Sequence, residues 1–172
     1  MKIKANLLAD TVSSNSKEAH DLFASQRFGE RKGEKIIYSL SEAFFLVKGK
    51  KIEIFDARDK RIEEKTLLKK FQRIDKKFLI KSIVFEDLRK KGYIVKTALK
   101  FGAEFRVYEK GKSVGVAHSK WICFPVSENK TMTWHEFSSK NRVAHSTKKN
   151  LLIAIVDEEN DVSYYEVNWK RI

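Results

Sequence analysis

Residues 92–120, GYIVKTALKFGAEFRVYEKGKSVGVAHSK, decide the fold of the second half of the chain. Within this stretch, residues 93–98 and 104–108 alternate apolar and polar side chains, a pattern typical of β-strands. A glycine-bearing loop follows, and a third strand is predicted over residues 119–126. Pro125, which lacks a backbone N–H, is expected to end that strand. The stretch therefore predicts three consecutive strands of one sheet.

Helical patterns surround these strands. Residues 78–91 place apolar side chains at helical spacing, and Gly92 is positioned to stop that helix. Thr133-Trp-His-Glu136 is a capping-box pattern that opens a helix reaching about residue 147. Two further strands, residues 151–156 and 162–169, complete a mixed α/β domain of about 95 residues.

The first half alternates strands and helices around a charged loop at residues 27–35, and Ser39-Leu-Ser-Glu42 forms another capping box. A break near residues 75–77 separates the halves. We therefore predict an α+β protein, with a small N-terminal α/β domain at residues 1–77. A C-terminal, mixed-sheet, nuclease-like α/β domain is expected at residues 78–172.

The chain is strongly basic. It has 172 residues, and its 36 Lys and Arg against 23 Asp and Glu give a net charge of +13 that is spread over both halves. Such a surface attracts polyanions, above all nucleic acid. A lysine-rich thermophile surface is the alternative, although thermophiles enrich Lys and Glu together. The sequence contains no transmembrane-length apolar run and no signal-peptide pattern, and Cys123 is the only cysteine, so we expect a cytoplasmic protein.

Metal and cofactor chemistry find no support in the sequence. It contains none of the glycine-rich phosphate-binding, zinc-protease or nucleophile-elbow motifs, and its paired carboxylates fall in a turn and a charged linker. A metal-dependent nuclease would need carboxylates clustered at the end of a core strand. We therefore expect no metal and no cofactor.

Metal-free acid–base chemistry remains, and RNA permits it because the 2′-hydroxyl is an internal nucleophile. Such an enzyme needs a base for the 2′-OH, an acid for the departing 5′-oxygen and a cation for the phosphorane. His118 suits the acid role because a histidine pKa lies near neutrality. Tyr108 could be the base if a nearby ammonium favoured the phenolate. Each candidate, taken singly, has another explanation. Tyr108 could be a packing residue, His118 a surface residue, and Lys149 a lysine that complements the dipole at a helix end.

Three segments together closely resemble archaeal tRNA-splicing endonucleases, in family order and at family spacing. They are GYIVKTALKFGAEFRVYEKG at residues 92–111, HSKWICFPV at residues 118–126 and RVAHSTKKNLLIAIV at residues 142–156. A weaker match, YSLSEAFFLVKGKKIEI, covers residues 38–54 of the first half.

The resemblance implies a catalytic triad of Tyr108 as general base, His118 as general acid and Lys149 as electrostatic stabiliser. It implies metal-independent cleavage of precursor tRNA at bulge-helix-bulge motifs, which leaves a 2′,3′-cyclic phosphate and a 5′-hydroxyl. Family members also grip a bulge base between two flat side chains. Arg142 matches the first, and Trp169 is our candidate for the second, although an aromatic at a dimer seam is the alternative.

Arg106 and Lys148 are further candidates for phosphate contacts, on charge and position alone. A non-catalytic structural or RNA-binding subunit of the same fold is the alternative function. The presence of Tyr108, His118 and Lys149 together argues against it.

Assembly is where the chain departs from self-assembling family members. Those carry acidic residues in the loop between the Tyr and the His, which plug into a neighbouring dimer. Here the loop at residues 110–117, KGKSVGVA, has two lysines and no carboxylate. The resemblance thus suggests a catalytic subunit that self-associates through its C-terminal strand and needs a structural partner, two of each forming a heterotetramer. A homotetramer that uses other contacts, such as Glu109, is the alternative.

Overall fold

The computed structural model describes residues 2–111 and 118–172. They form two compact units, residues 1–82 and 83–172, which we describe separately. Both are built from helices and a mixed sheet, so the predicted α+β class is confirmed. The domain boundary between residues 77 and 78 stays a prediction.

The elements of the first unit, in chain order, are β1 (Ile3–Leu8), β2 (Thr11–Ser14), α1 (Lys17–Gln26), β3 (Glu30–Lys32), β4 (Lys35–Tyr38), α2 (Leu40–Lys48), β5 (Ile52–Phe55) and α3 (Glu64–Ile74). The strands make one five-stranded sheet in the order β3-β4-β2-β1-β5. β1 pairs parallel with β5, and the other neighbours are antiparallel.

The capping box predicted at α2 is confirmed, and it does more than cap the helix. Ser39 accepts a hydrogen bond from the N–H of Glu42, whose carboxylate accepts from the N–H of Ser39 in return. The same carboxylate accepts from the N–H of Gly29 at 3.0 Å. Gly29 has φ +76°, and a Cβ there would lie 2.4 Å from Cγ2 of Ile36. Close approach and left-handed backbone therefore both require glycine before β3.

The remaining elements are α4 (Phe78–Lys90), which begins in the first unit, β6 (Ile94–Thr97), β7 (Phe105–Tyr108), β8 (Trp121–Ser127), α5 (Trp134–Ser146), β9 (Asn150–Val156) and β10 (Val162–Val167). The second unit has a five-stranded sheet in the order β10-β9-β8-β7-β6, in which β8 and β9 are parallel and the other neighbours antiparallel. A short 3₁₀ turn, Leu99–Phe101, lies between β6 and β7.

Pro125 does not end its strand, contrary to the prediction. β8 continues to Ser127, and Pro125 pairs with Ala154 of β9. The pairing with β7 stops where Phe105 meets Cys123, so beyond that point β8 has, among the described residues, a neighbouring strand on one side only. A proline is tolerated there because its missing N–H leaves no strand–strand hydrogen bond unmade.

The two faces of this sheet pack against different helices. On one face, Phe85 of α4 lies 5.9 Å from Phe105, measured between ring centroids. On the other, Ala144 of α5 packs against a buried cluster that includes Ile122, Phe124 and Leu151. Because side chains alternate along a strand, each sheet residue can be assigned to the α4 face or the α5 face. Among the described residues, no helix has both the length and the apolar character required to cross a membrane.

Candidate active site

Strand direction brings three predicted site segments to one edge of the second sheet. β7 ends at Tyr108, at the edge where the antiparallel β8 and the parallel β9 begin. The N–H of Lys120 donates to the carbonyl of Val107 at 3.0 Å, and that of Asn150 to the carbonyl of Lys120 at 2.9 Å. Neighbouring strands are about 4.8 Å apart, so the backbones at Tyr108 and Lys149 are separated by about 10 Å.

Tyr108 lies on the α5 face of the sheet. Phe105 and Val107 point to the α4 side, where Phe105 meets Phe85 and Val107 lines a cavity with Leu88. Alternation therefore turns Arg106 and Tyr108 toward the α5 side. Tyr108 is only 5% exposed, so its ring is held in place by the surrounding side chains.

Lys149 approaches the same face from the end of α5. Its Nζ donates to the carbonyl of Thr147 at 3.2 Å and lies 5.7 Å from the centre of the Phe101 ring. Burial, and next the charge of Arg106, lower the pKa of Lys149 below its usual range. Two cations kept near one another in a partly buried site repel, and an anion bound between them would relieve that repulsion.

His118 comes two residues before Lys120, on the segment that leads into β8, and its side chain is exposed. This segment enters the sheet between β7 and β9, the strands that carry Tyr108 and lead from Lys149. The structure thus brings the backbones of the three predicted triad residues to one edge. Residues 112–117, which hold most of the predicted basic loop, lie outside the described residues.

An ion pair joins the two ends of that loop. Lys120 Nζ lies 2.9 Å from a carboxylate oxygen of Glu109 and sits over the ring of Trp121 at 4.7 Å from its centre. Both charged side chains are about 40% exposed, so the pair contributes little to stability. The pair spans the segment after Tyr108 and the segment after His118, which strand pairing already places side by side.

A second group of predicted residues lies along α5. Arg142 is exposed, and its Nε donates to the carbonyl of Ser138 at 3.5 Å. Trp169 is 49% exposed and packs against His145, with 4.5 Å between ring centroids. Arg142 and His145 are three residues apart and share one helix face, so Trp169 lies on the side of α5 that carries Arg142. Trp169 follows the last residue of β10, Val167, whereas the predicted strand included it.

Lys148 and Arg106 complete the predicted set. Lys148 is exposed in a left-handed turn, φ +56°, immediately before Lys149. Arg106 is half-buried on the strand that carries Tyr108. Phe101, whose ring lies beside the Lys149 ammonium, is not among the predicted site residues, and the turn Lys100-Phe-Gly102 next to a strand is the local pattern that marks its position. Within residues 2–111 and 118–172, no cluster of three or more His, Cys, Asp or Glu side chains is arranged to hold a metal ion.

Comparison with known proteins identifies both units. Residues 78–164 match the family model of the tRNA intron endonuclease catalytic C-terminal domain, and residues 3–68 match that of the tRNA intron endonuclease N-terminal domain.

Relatives named tRNA-splicing endonuclease match the chain over 77% to 99% of its length. One from Pyrococcus horikoshii is 41% identical over 97% of this chain and 96% of its own length. One from Methanothermobacter thermautotrophicus is 36% identical over 99% of both chains. One from Nanoarchaeum equitans is 44% identical over 77% of this chain and 88% of its own. The chain therefore belongs to the tRNA intron endonuclease family.

Proposed function

We propose that this chain cuts precursor tRNA at bulge-helix-bulge motifs, without a metal, and leaves a 2′,3′-cyclic phosphate and a 5′-hydroxyl. What supports the proposal is the shared sheet edge, to which strand pairing brings the three backbone segments that carry Tyr108, His118 and Lys149. A structural subunit with no chemistry to perform would have no need for a base, an acid and a cation at one edge.

The reaction needs one proton removed and one delivered. Tyr108 acts as the general base that removes the proton of the 2′-hydroxyl, and the 2′-oxygen attacks the adjacent phosphorus. The bond from phosphorus to the 5′-oxygen breaks, and His118 protonates that oxygen as it leaves. Lys149 stabilises the extra negative charge on the phosphorane, and Arg106 adds a second positive charge nearby.

Bulged nucleotides suit this mechanism. The attack requires the 2′-oxygen, the phosphorus and the 5′-oxygen in line, which a regular A-form helix does not allow and an unstacked linkage does. We propose that Arg142 and Trp169 hold a bulge base from two sides and that Lys148 contacts a nearby phosphate. The location of Trp169 on the Arg142 side of α5 supports this pairing. Stacking on a tryptophan is worth about 1–3 kcal/mol per base.

We further propose that the active form is a heterotetramer of two catalytic and two structural chains. β10 is an edge strand of its sheet, so its outer backbone groups are available for pairing with a second copy of the chain. The loop at residues 110–117 carries no carboxylate, which supports the need for a partner that supplies an acidic segment.

Size and activity measured on the same sample test the assembly. The purified chain is separated by size-exclusion chromatography with light scattering, and each fraction is assayed on a bulge-helix-bulge RNA in EDTA. We expect an inactive dimer that gains activity when a structural subunit is added. An active tetramer of this chain alone would refute the partner requirement while leaving the chemistry intact.

A further inference from the structure

Trp134 is an unusual surface residue. Its indole is 83% exposed at the first position of α5, whereas Trp169 is 49% exposed and Trp121 is half-buried. The Trp134 ring meets Phe137 edge-on, at 5.9 Å between centroids and 88° between planes. This contact steadies the indole, most of whose surface stays exposed. Tryptophan is highly buried on average, so an open, steadied indole calls for an explanation.

The exposed side of α5 links this indole to the proposed active site. Exposed residues recur at helical spacing and form one stripe, which consists of His135, Ser138, Arg142 and His145. Beyond the helix end follow Lys148, which is exposed, and Lys149, which is half-buried. Trp134 and Ser146 are twelve positions apart, so the start of α5 lies about 18 Å along the helix from its C-terminal end.

Charge along this stripe favours a polyanion. Between residues 131 and 149 the sequence has one carboxylate, Glu136, and it accepts hydrogen bonds from Thr133 in the confirmed capping box. Lys130 and Lys140 lie near enough to Glu136 to help lower its pKa, after the larger effect of the Thr133 N–H. The single acidic group of this segment is thus already used within the protein. The free charges of this segment are therefore positive, and they would attract the phosphates of an RNA.

We propose that Trp134 stacks on an unpaired base of the precursor RNA, roughly 20 Å from the scissile phosphate, while the RNA backbone follows the exposed face of α5. This inference rests on the proposed function and extends it to a second anchoring point. The start of α5 would then help the enzyme to select long precursors over short fragments, because only a long RNA reaches both ends of the helix.

Binding and cleavage by Trp134 variants test the inference. Wild type, Trp134→Ala and Trp134→Phe are compared on a full precursor tRNA and on bulge-helix-bulge RNAs whose arms are shortened stepwise, with the complete active assembly. Leu8→Ala, which truncates another exposed apolar side chain in the first unit, is the matched control. Affinity is measured by fluorescence anisotropy, and oligomeric state by light scattering. Stacking of the Trp134 indole is measured as the RNA-induced quenching of tryptophan fluorescence that wild type shows and Trp134→Phe lacks.

We expect Trp134→Ala to bind the full precursor about tenfold more weakly, Trp134→Phe to recover most of that loss, and Leu8→Ala to behave as wild type. The difference in affinity between wild type and Trp134→Ala should disappear once the RNA arm is too short to reach the start of α5. Equal affinity of wild type and Trp134→Ala for the full precursor would overturn the inference. A change in oligomeric state in Trp134→Ala would also overturn it, and would assign the indole to a protein interface. If wild type binds precursor with indole quenching but does not cut it, the proposed catalysis fails and the inference stands.

Discussion

The backbone N–H of Asn150 donates to the carbonyl oxygen of Lys120 at 2.9 Å. This bond joins the first residue of β9 to the segment that follows His118. It places Lys149, one residue earlier, at the edge where β7 ends at Tyr108. Residues 41 positions apart in sequence, Tyr108 and Lys149, are thereby brought to one sheet edge by parallel pairing of β8 and β9.

Tyr108→Phe tests the base. The phenyl ring should keep the packing of a side chain that is 5% exposed, so the fold should survive. Without the hydroxyl, the rate should fall about 100-fold or more, as expected for loss of a general base. Single-turnover cleavage at saturating enzyme gives the rate, and thermal unfolding checks the fold.

Tyr38→Phe is the matched control, because the Tyr38 hydroxyl is buried and finds no hydrogen-bond partner among the described residues. Its removal should leave cleavage unchanged and should not lower the free energy of unfolding. If Tyr108→Phe cuts as fast as Tyr38→Phe, Tyr108 is a packing residue only.

Lys149→Met separates catalysis from stability. Removing the ammonium should slow cleavage about 100-fold, because the phosphorane loses its nearest proposed cation. Burial, followed by the charge of Arg106, lowers the pKa of Lys149 in the folded chain. The unfolded chain therefore binds that proton more tightly, and the charged amine destabilises the native state at neutral pH.

The melting temperature of Lys149→Met should accordingly exceed that of wild type at pH 7. The difference in melting temperature between the two proteins should narrow as pH rises from the lowered pKa of Lys149 toward the ordinary lysine value of 10.5. Over that range wild-type Lys149 becomes neutral in the folded state. Lys17→Met, at an exposed lysine of α1, should change neither activity nor this pH dependence. A Lys149→Met protein that is both active and less stable would assign Lys149 a structural role.

Asp75→Ala tests the turn between α3 and α4. Asp75 lies 2.7 Å from Lys81 Nζ and accepts from the N–H of Lys77 at 2.9 Å. Burial alone would raise the pKa of Asp75, but these two hydrogen bonds outweigh it and hold the pKa below its usual range. The variant should lose about 1–2 kcal/mol of unfolding free energy at pH 7.

A lowered carboxyl pKa means that the contribution of Asp75 is complete above its unfolded-state pKa, near 4, and is lost as pH falls through the folded-state value. Urea unfolding at pH 7 and at pH 3 should therefore show a smaller difference between wild type and Asp75→Ala at the lower pH. A difference that is independent of pH would show that the carboxylate charge contributes nothing.

Local signals made much of this fold predictable. The capping boxes at Ser39 and Thr133 fix two helix starts through reciprocal hydrogen bonds within four residues, and both are observed. The prediction that Pro125 ends its strand was wrong, because a missing N–H interrupts a strand only where a neighbouring strand would have accepted its hydrogen bond. Which strand lies beside Pro125 depends on tertiary structure, because it is set by the residue at which the pairing of β7 with β8 stops.

The candidate site was predictable as a set of residues but not as an arrangement. Tyr108 ends β7, whereas His118 and Lys149 lie just before β8 and β9, and alternation and turn residues can locate all three positions. Their convergence depends on strand order, and the parallel pairing of β8 with β9 is not encoded in any short segment. Contacts between distant parts of the chain, such as Trp169 against His145, were equally beyond local patterns.

The chemistry of the cut ends tests the central claim most directly. A bulge-helix-bulge precursor labelled at either side of the cleavage site is incubated in EDTA with the active assembly that contains wild type or His118→Ala, and the product termini are analysed by mass spectrometry. The proposed mechanism predicts 2′,3′-cyclic phosphate and 5′-hydroxyl ends from wild type, and a rate lower by about 100-fold or more from His118→Ala. A 5′-phosphate product, a requirement for added divalent metal or full activity of His118→Ala would contradict it.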